Sequence, residues 1–186
     1  MKTLYLERST GACRDGRWVE ELDFTERPAR IVVGTGPGSF AGIRSVIAFA
    51  QGYRLGSGAE VLGLPSPCAV VGELSRQGEL PAGAKTAVVG DARQGKIWVA
   101  LFEGMKLLKA VFQVEGAEGV RAAVPADFAV YSSDDARIGE LLRGVFAARY
   151  RGLQLPTDAG LEAFALASPE LLVPEPLPLY LNPAVR

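Results

Sequence analysis

Histidine is absent from the 186 residues of this chain, and that one absence removes whole reaction classes. A Ser-His-Asp or Cys-His nucleophile system cannot be assembled within it, nor a histidine-based zinc site, nor an imidazole proton shuttle. Cysteine is nearly absent too. Cys13 and Cys68 stand far apart without Cys-x-x-Cys spacing, and read as two reduced, largely buried thiols rather than a disulfide or metal pair. No apolar run approaches the length of a membrane span, and Lys2-Thr3-Leu4 leads into no apolar leader segment, so a cytoplasmic protein without membrane contact is expected. Neither sign of charge is in excess: 20 Lys and Arg face 21 Asp and Glu, a net charge of -1. Such a chain has no overall positive field with which to hold nucleic acid; if RNA is involved, another chain supplies most phosphate contacts.

What is present is ordinary for a folded domain, with 48% hydrophobic and 22% charged residues. Glycines and prolines are spread throughout and punctuate short elements. Lys2–Glu7, Gly11–Arg14 and Arg17–Phe24 read as strands, with Asp15-Gly16 as the hairpin turn between the last two. Ala29–Val33 is a β-branched run suited to a buried strand. From Phe40 the spacing of Ile43, Val46, Ile47, Ala50 and Arg54 is helical, stopping at Gly56 and Gly58. Glu60–Leu64 reads as a strand, and a helix follows from near Pro67 to about Gly78.

The second half repeats the grammar: strands over Lys85–Gly90, Lys96–Glu103 and Lys106–Val114, a short helix at Ala117–Ala123, a strand at Phe128–Tyr131, a long helix over Ala136–Arg149, and a last helix at Thr157–Ser168. Two copies of one order imply an α/β protein of duplicated lobes with mixed sheets, residues 1–82 and 83–186, hinged near Gln77–Ala84. Between its third and fourth strands the first lobe has only Thr25–Arg30, too short for a helix. It is therefore expected to lack one covering helix and to leave an exposed sheet face or a partner surface there. The tail Val173–Arg186, with prolines at alternate positions from Pro174 to Pro178, is expected to lie along a surface.

Gly34-Thr-Gly-Pro-Gly-Ser-Phe-Ala-Gly-Ile-Arg44 joins a strand to a helix, where a backbone loop can cradle an anion. It is no Walker A loop, since no Gly-Lys-Ser/Thr follows, and as a dinucleotide fingerprint it is weak. Pro37 also removes one N–H donor. A structural turn, with glycines free to take positive φ, is the favoured reading and a phosphate site the lesser one. Asp91 and Arg93 follow an apolar strand and read equally as cleft residues or as a turn. Asp134-Asp135 reads as a helix cap rather than a metal pair. Arg143, Arg149 and Arg151 read as the solvated side of a helix, and Trp18, Trp98 and Phe112 as core or interface rings.

The run Gly36-Pro-Gly-Ser-Phe-Ala-Gly-Ile-Arg44, followed by Ala50-Gln-Gly52 and Leu55-Gly56, resembles the signature of the TsaB (YeaZ) family. Gly63-Leu-Pro-Ser66, Asp91-Ala-Arg-Gln-Gly-Lys-Ile-Trp98 and Leu177-Pro-Leu-Tyr-Leu181 are similar to further segments of that family, so the resemblance spans nearly the whole chain. It marks Gly36, Pro37, Gly38, Ser39 and Gly42 as the family-motif turn. It implies a duplicated actin/sugar-kinase-like (ASKHA, RNase H-like) fold and a non-catalytic subunit without cofactor, metal or catalytic residue. It further implies a role in forming threonylcarbamoyl-adenosine on tRNA, which is touched only indirectly, beside a TsaD-type catalytic subunit and a TsaE-type ATPase. The chain departs from the family in two places. Leu6-Glu7-Arg8-Ser9 replaces an Ile-Asp-Thr opening, leaving Glu7, Asp91 and Arg93 as candidate cleft residues, and the first-lobe helix is missing. Phe40, Ile43, Arg44, Ile47 and Gln51, on the signature helix, are the candidate partner contacts. Two other functions stand beside this one: a nucleotide-dependent small-molecule kinase of the same fold, and a stand-alone homodimeric binding protein.

Overall fold

In the computed structural model, residues 2–10, 22 and 27–181 are described. The strands expected over Gly11–Arg14 and Arg17–Phe24, with Cys13 and Trp18, lie almost wholly outside them. Two hydrogen-bonded sheets form. The first begins with β1 (Thr3–Leu6), whose parallel neighbour β2 (Arg30–Gly34) pairs Thr3 with Arg30 through to Leu6 with Val33. β3 (Glu60–Leu64) adds parallel on the far side of β2. The connection between β2 and β3 is α1 (Phe40–Ser57), opened by Ser39, whose side chain accepts the Gly42 N–H. Gly58 ends the helix at φ 72°, the left-handed conformation that glycine takes without cost. The helical stripe read from sequence faces inward: Ile43, Val46, Ile47 and Ala50 pack on Leu6, Ile31, Val33 and Val61.

α2 (Ser66–Arg76) leaves β3 and leads to the second sheet. There β4 (Lys85–Arg93), β5 (Lys96–Glu103) and β6 (Lys106–Glu115) are antiparallel neighbours. α3 (Gly116–Ala123) crosses to β7 (Ala129–Ser132), parallel to β4, and α4 (Asp135–Phe146) crosses to β8 (Tyr150–Leu153), parallel to β7. α5 (Asp158–Ala167) follows, and β9 (Val173–Pro174) returns to the outer edge of β3, antiparallel. The strand orders are β1-β2-β3-β9 and β6-β5-β4-β7-β8.

The sheets face one another across α2 and α5. This middle layer holds the main core, in which Val32, Leu62 and Leu64 of the first sheet meet Val70, Leu74, Leu161 and Phe164 of the helices and Val88, Trp98 and Phe102 of the second sheet. Phe102 and Phe164 stand edge to face, their centroids 5.8 Å apart. On the outer side of the second sheet, α3 and α4 bury Val120, Ile138, Leu142 and Phe146 against Ala87, Val89 and Val99. The layers thus run α1, sheet, α2 with α5, sheet, α3 with α4.

Three expectations are corrected. The first sheet shows no exposed face at β2: Ile31, Val32 and Val33 are all buried, because α1 covers one side and the middle helices the other. Of the loop expected to replace a helix, Arg27–Arg30 is non-helical, and the residues before it lie outside the described set. The long helix expected to Arg149 ends at Phe146, where Ala147 takes φ 48°, and the chain continues into β8. The tail lies along a surface but also forms β9, which proline-rich composition conceals.

Candidate functional site

The carboxyl ends of three parallel strands come together at one edge of the first sheet, the position at which open α/β sheets bind ligands. Glu7 leaves β1 there, the glycine turn leaves β2, and Pro65-Ser66 leaves β3. Glu7 is 5% exposed, and its carboxyl group lies flat against Gly34, where a β-carbon would overlap Oε2. Glycine at 34 is a requirement of this contact. Oε1 accepts the Ser9 N–H at 2.7 Å. The Ser66 hydroxyl lies beside the carboxyl group, yet Oε2 is buried with no partner at hydrogen-bonding geometry. Burial is the main force raising the Glu7 pKa above 4.5, and the charge of Asp158 adds to it; bonds from Ser9 and Ser66 offset part of the effect.

The backbone of Glu7 ties the edge to α5. Its N–H donates to Asp158 Oδ1 at 2.6 Å, and the Arg8 guanidinium bridges the Glu7 carbonyl, at 2.7 Å, and the same Asp158 oxygen, at 2.5 Å. Asp158 stands in the first turn of α5, whose cap is Thr157: its Oγ1 accepts the Gly160 N–H at 2.9 Å and donates to Glu73 Oε2 at 2.5 Å.

Three N–H donors of the glycine turn bond within the chain. The Thr35 N–H goes to the Leu64 carbonyl at 2.9 Å and the Ser39 N–H to the Ser9 carbonyl at 2.5 Å. The Gly36 N–H goes to Ser66 Oγ at 2.9 Å, and Pro37 has no N–H. A β-carbon on Gly38 would overlap the Ser9 carbonyl oxygen, and one on Gly42 the Arg8 carbonyl oxygen. The glycines let the segment that leaves β1 lie directly on the turn, Glu7 against Gly34, Ser9 against Gly38 and Arg8 against Gly42.

The candidate partner residues divide by face. Phe40, 58% exposed, Arg44 and Gln51 point to solvent, with Arg44 over the Phe40 ring at 4.8 Å. Ile43 and Ile47, 4% and 5% exposed, belong to the core beneath α1. They are removed from the contact set, because the apolar stripe that defines the helix is the one the sheet consumes.

Asp91 and Arg93 sit at the β4–β5 hairpin, where Arg93, Gln94 and Gly95 all take left-handed φ, 68°, 55° and 75°. Asp91 accepts the Arg93 N–H at 2.8 Å and pairs at 3.5 Å with both Arg93 and Arg137. Arg137 also reaches Asp134 at 3.1 Å. Asp91 and Glu7 thus have different partners. Asp134 is the N-cap residue of α4, but its side chain holds Arg137 rather than a backbone N–H. The solvated reading of the arginines is corrected at Arg149, which donates to the Pro125 carbonyl at 2.8 Å. Among the described residues no group of three His, Cys, Asp or Glu side chains is placed to hold a metal, and no helix is long and apolar enough to cross a membrane.

Sequence reasoning missed Asp158 as part of this edge. Thr157-Asp158 announces a helix start, but nothing local announces a bond to a residue 151 positions away.

Two mixed sheets separated by a helix pair, with Glu7 packed on the glycine turn at the edge of the first, define an α/β protein. Solved structures share this fold. YeaZ from Pseudomonas aeruginosa superposes with a TM-score of 0.64 at 20% identity, covering 91% of this chain and 82% of that one. An uncharacterized protein with similarity to peptidase YeaZ, from Pseudomonas aeruginosa, superposes with a TM-score of 0.63 at 21% identity, covering 92% and 82%. The fold is thus shared with YeaZ over 91% of this chain. No family model and no curated protein matches the chain.

Proposed function

We propose that this chain is a non-catalytic partner subunit of TsaB (YeaZ) type, which supports a TsaD-type catalytic subunit in forming threonylcarbamoyl-adenosine on tRNA, with a TsaE-type ATPase as a third member. The observation that carries the non-catalytic reading is the occupied glycine turn: the Thr35, Gly36 and Ser39 donors are spent on Leu64, Ser66 and Ser9, and the Glu7 carboxyl packs on Gly34. The fold shared with YeaZ and the Gly36–Arg44 signature support the family. In this reading the two sheets are a duplicated actin/sugar-kinase-like pair of lobes. β1, β2 and β3 correspond to β4, β7 and β8, with α1 and α2 answering to α4 and α5, and the boundary falls near residue 82.

The subunit acts by holding its partner in the active arrangement through the exposed side of α1. That side offers Phe40, Arg44 and Gln51, and α1 contains two arginines and no acid, which suits an acidic partner surface. The chain meets tRNA only through its partners and works in the cytoplasm. Reconstitution tests the reading: purified TsaD-type and TsaE-type proteins from the same cell, with tRNA, threonine, bicarbonate and ATP and an enzyme making the threonylcarbamoyl donor, should form the modified nucleoside only when this chain is added. Full activity without it would refute the proposal. A small-molecule kinase would instead bind ATP with magnesium on its own, which calorimetry decides.

A further inference from the structure

Residues 173–181 run back across the first sheet. β9 pairs Val173 with Gly63 and Pro174 with Leu62. Next, Pro176 is buried against Gly63 and Thr35: a β-carbon at 63 would stand 2.6 Å from Pro176 Cβ and 2.7 Å from Thr35 Cγ2, so only glycine leaves a notch for the proline. The Leu179 N–H then donates to the Thr35 carbonyl at 2.8 Å. The Tyr180 ring lies 5.7 Å from that of Phe40, and Leu181 reaches the apolar cluster between the sheets.

The segment is held at few points. Pro174, Pro176 and Pro178 have no N–H, and pairing with β3 extends only over Val173 and Pro174. Glu175 meets Arg54 only at 3.7 Å, and Leu177 is 76% exposed. Glu175, directly before Pro176, takes φ 53°, a left-handed conformation that is costly for a residue preceding proline. Few bonds and a strained residue before proline describe a ligand in a groove better than a strand of the core.

We infer that the β3 edge, the Gly63–Thr35 notch and the Phe40 ring form a binding track for a proline-alternating peptide, and that the chain's own residues 173–181 are its resident, releasable occupant. The track takes a proline at the notch, a backbone N–H three residues later for the Thr35 carbonyl, and an aromatic ring one residue further for Phe40. It shares Phe40 with the partner reading but is tested apart from it, with a peptide alone.

The test titrates a fluorescent peptide of residues 172–181 into the full chain and into a full-length variant carrying Leu179→Pro and Tyr180→Ala, which removes the N–H to Thr35 and the ring on Phe40. The tethered tail competes at high effective concentration in the parent, so the variant should bind at least about tenfold more tightly, and a peptide carrying Pro176→Asp should lose that binding. Equal affinities, or no binding to the variant, would overturn the inference. If the variant does not fold, hydrogen exchange on the unmodified protein decides: the Leu179 amide should exchange well before the amides of the β2–β3 ladder, and equal protection would overturn it.

Discussion

Gly72 and Gly160 meet where α2 crosses α5, so closely that a β-carbon on Gly72 would overlap the Gly160 carbonyl oxygen and one on Gly160 the Ala69 carbonyl oxygen. The two helices form the middle layer of the molecule, and this crossing sets the distance between the sheets.

Replacing either residue by alanine should therefore destabilise the protein by roughly 1–3 kcal/mol, the usual cost of forcing a methyl into packed backbone. Gly52 and Gly56 on α1 are the matched controls, since a β-carbon at either meets nothing within 4 Å. Alanine there should be neutral or stabilising by up to about 1 kcal/mol. Urea unfolding of the four variants gives the comparison, and a neutral Gly72→Ala would show that the helices can separate freely.

Glu7 should give a pH signature. Its folded-state pKa is raised above 4.5, chiefly by burial, so the folded protein holds the proton more tightly than the unfolded chain. Its contribution to stability is then greatest below 4.5 and declines as pH rises toward the folded-state value, by at most about 1.4 kcal/mol per pH unit. Glu7→Gln cannot titrate, so the stability of this variant relative to the parent should increase above pH 4.5 and then level. Thermal unfolding across pH tests it, and a difference that stays flat would contradict the buried, raised carboxyl.

Cys68 should be inert. Burial pushes its thiol well above the ordinary range, with the nearby Glu7 adding to the effect, and thiolate is the reactive form. In a Cys13→Ser background, iodoacetamide should leave the native protein unmodified and label it once in denaturant. Rapid labelling of the native state would show that α2 opens from the middle layer.

The faces of α1 separate two kinds of loss. Phe40→Ala and Arg44→Glu should leave the fold intact and weaken binding to a TsaD-type subunit by about 1 kcal/mol or more each. Ile47→Ala should cost about 2–5 kcal/mol of stability by opening a cavity under the helix. Calorimetric binding beside thermal unfolding separates them; unchanged affinity in Phe40→Ala and Arg44→Glu would move the partner surface off α1.

Much of this architecture was legible in the sequence because its cause is local. The β-branched run before Gly34, the Ile43–Ala50 stripe and the continuous apolar run through β5 each record the surface they bury, and β3 and β5 fall at the residues expected. The glycine turn was legible as a turn, but its reason was not. Gly34, Gly38 and Gly42 are small because Glu7, Arg8 and Ser9 lie on them, and no periodicity reports a neighbour from another strand. For the same reason the stripe on α1 identified a helix and misassigned Ile43 and Ile47, since one pattern marks core and interface alike. β9 was hidden by its prolines, and Asp158 by its distance along the chain.

The link from Glu7 to Asp158 also bears on how the chain is made. A ribosome releases β1, β2 and β3 long before α5 and β9, yet those late elements cover the inner face and the outer edge of the first sheet. Val32, Leu62 and Leu64 therefore stay only partly covered until almost the whole polypeptide has emerged. Pairing across 151 residues is slow to form, and a nascent chain waiting for it exposes an apolar sheet to its neighbours. A chain ending before α5 and β9 should therefore leave its first sheet with an uncovered inner face and an open outer edge.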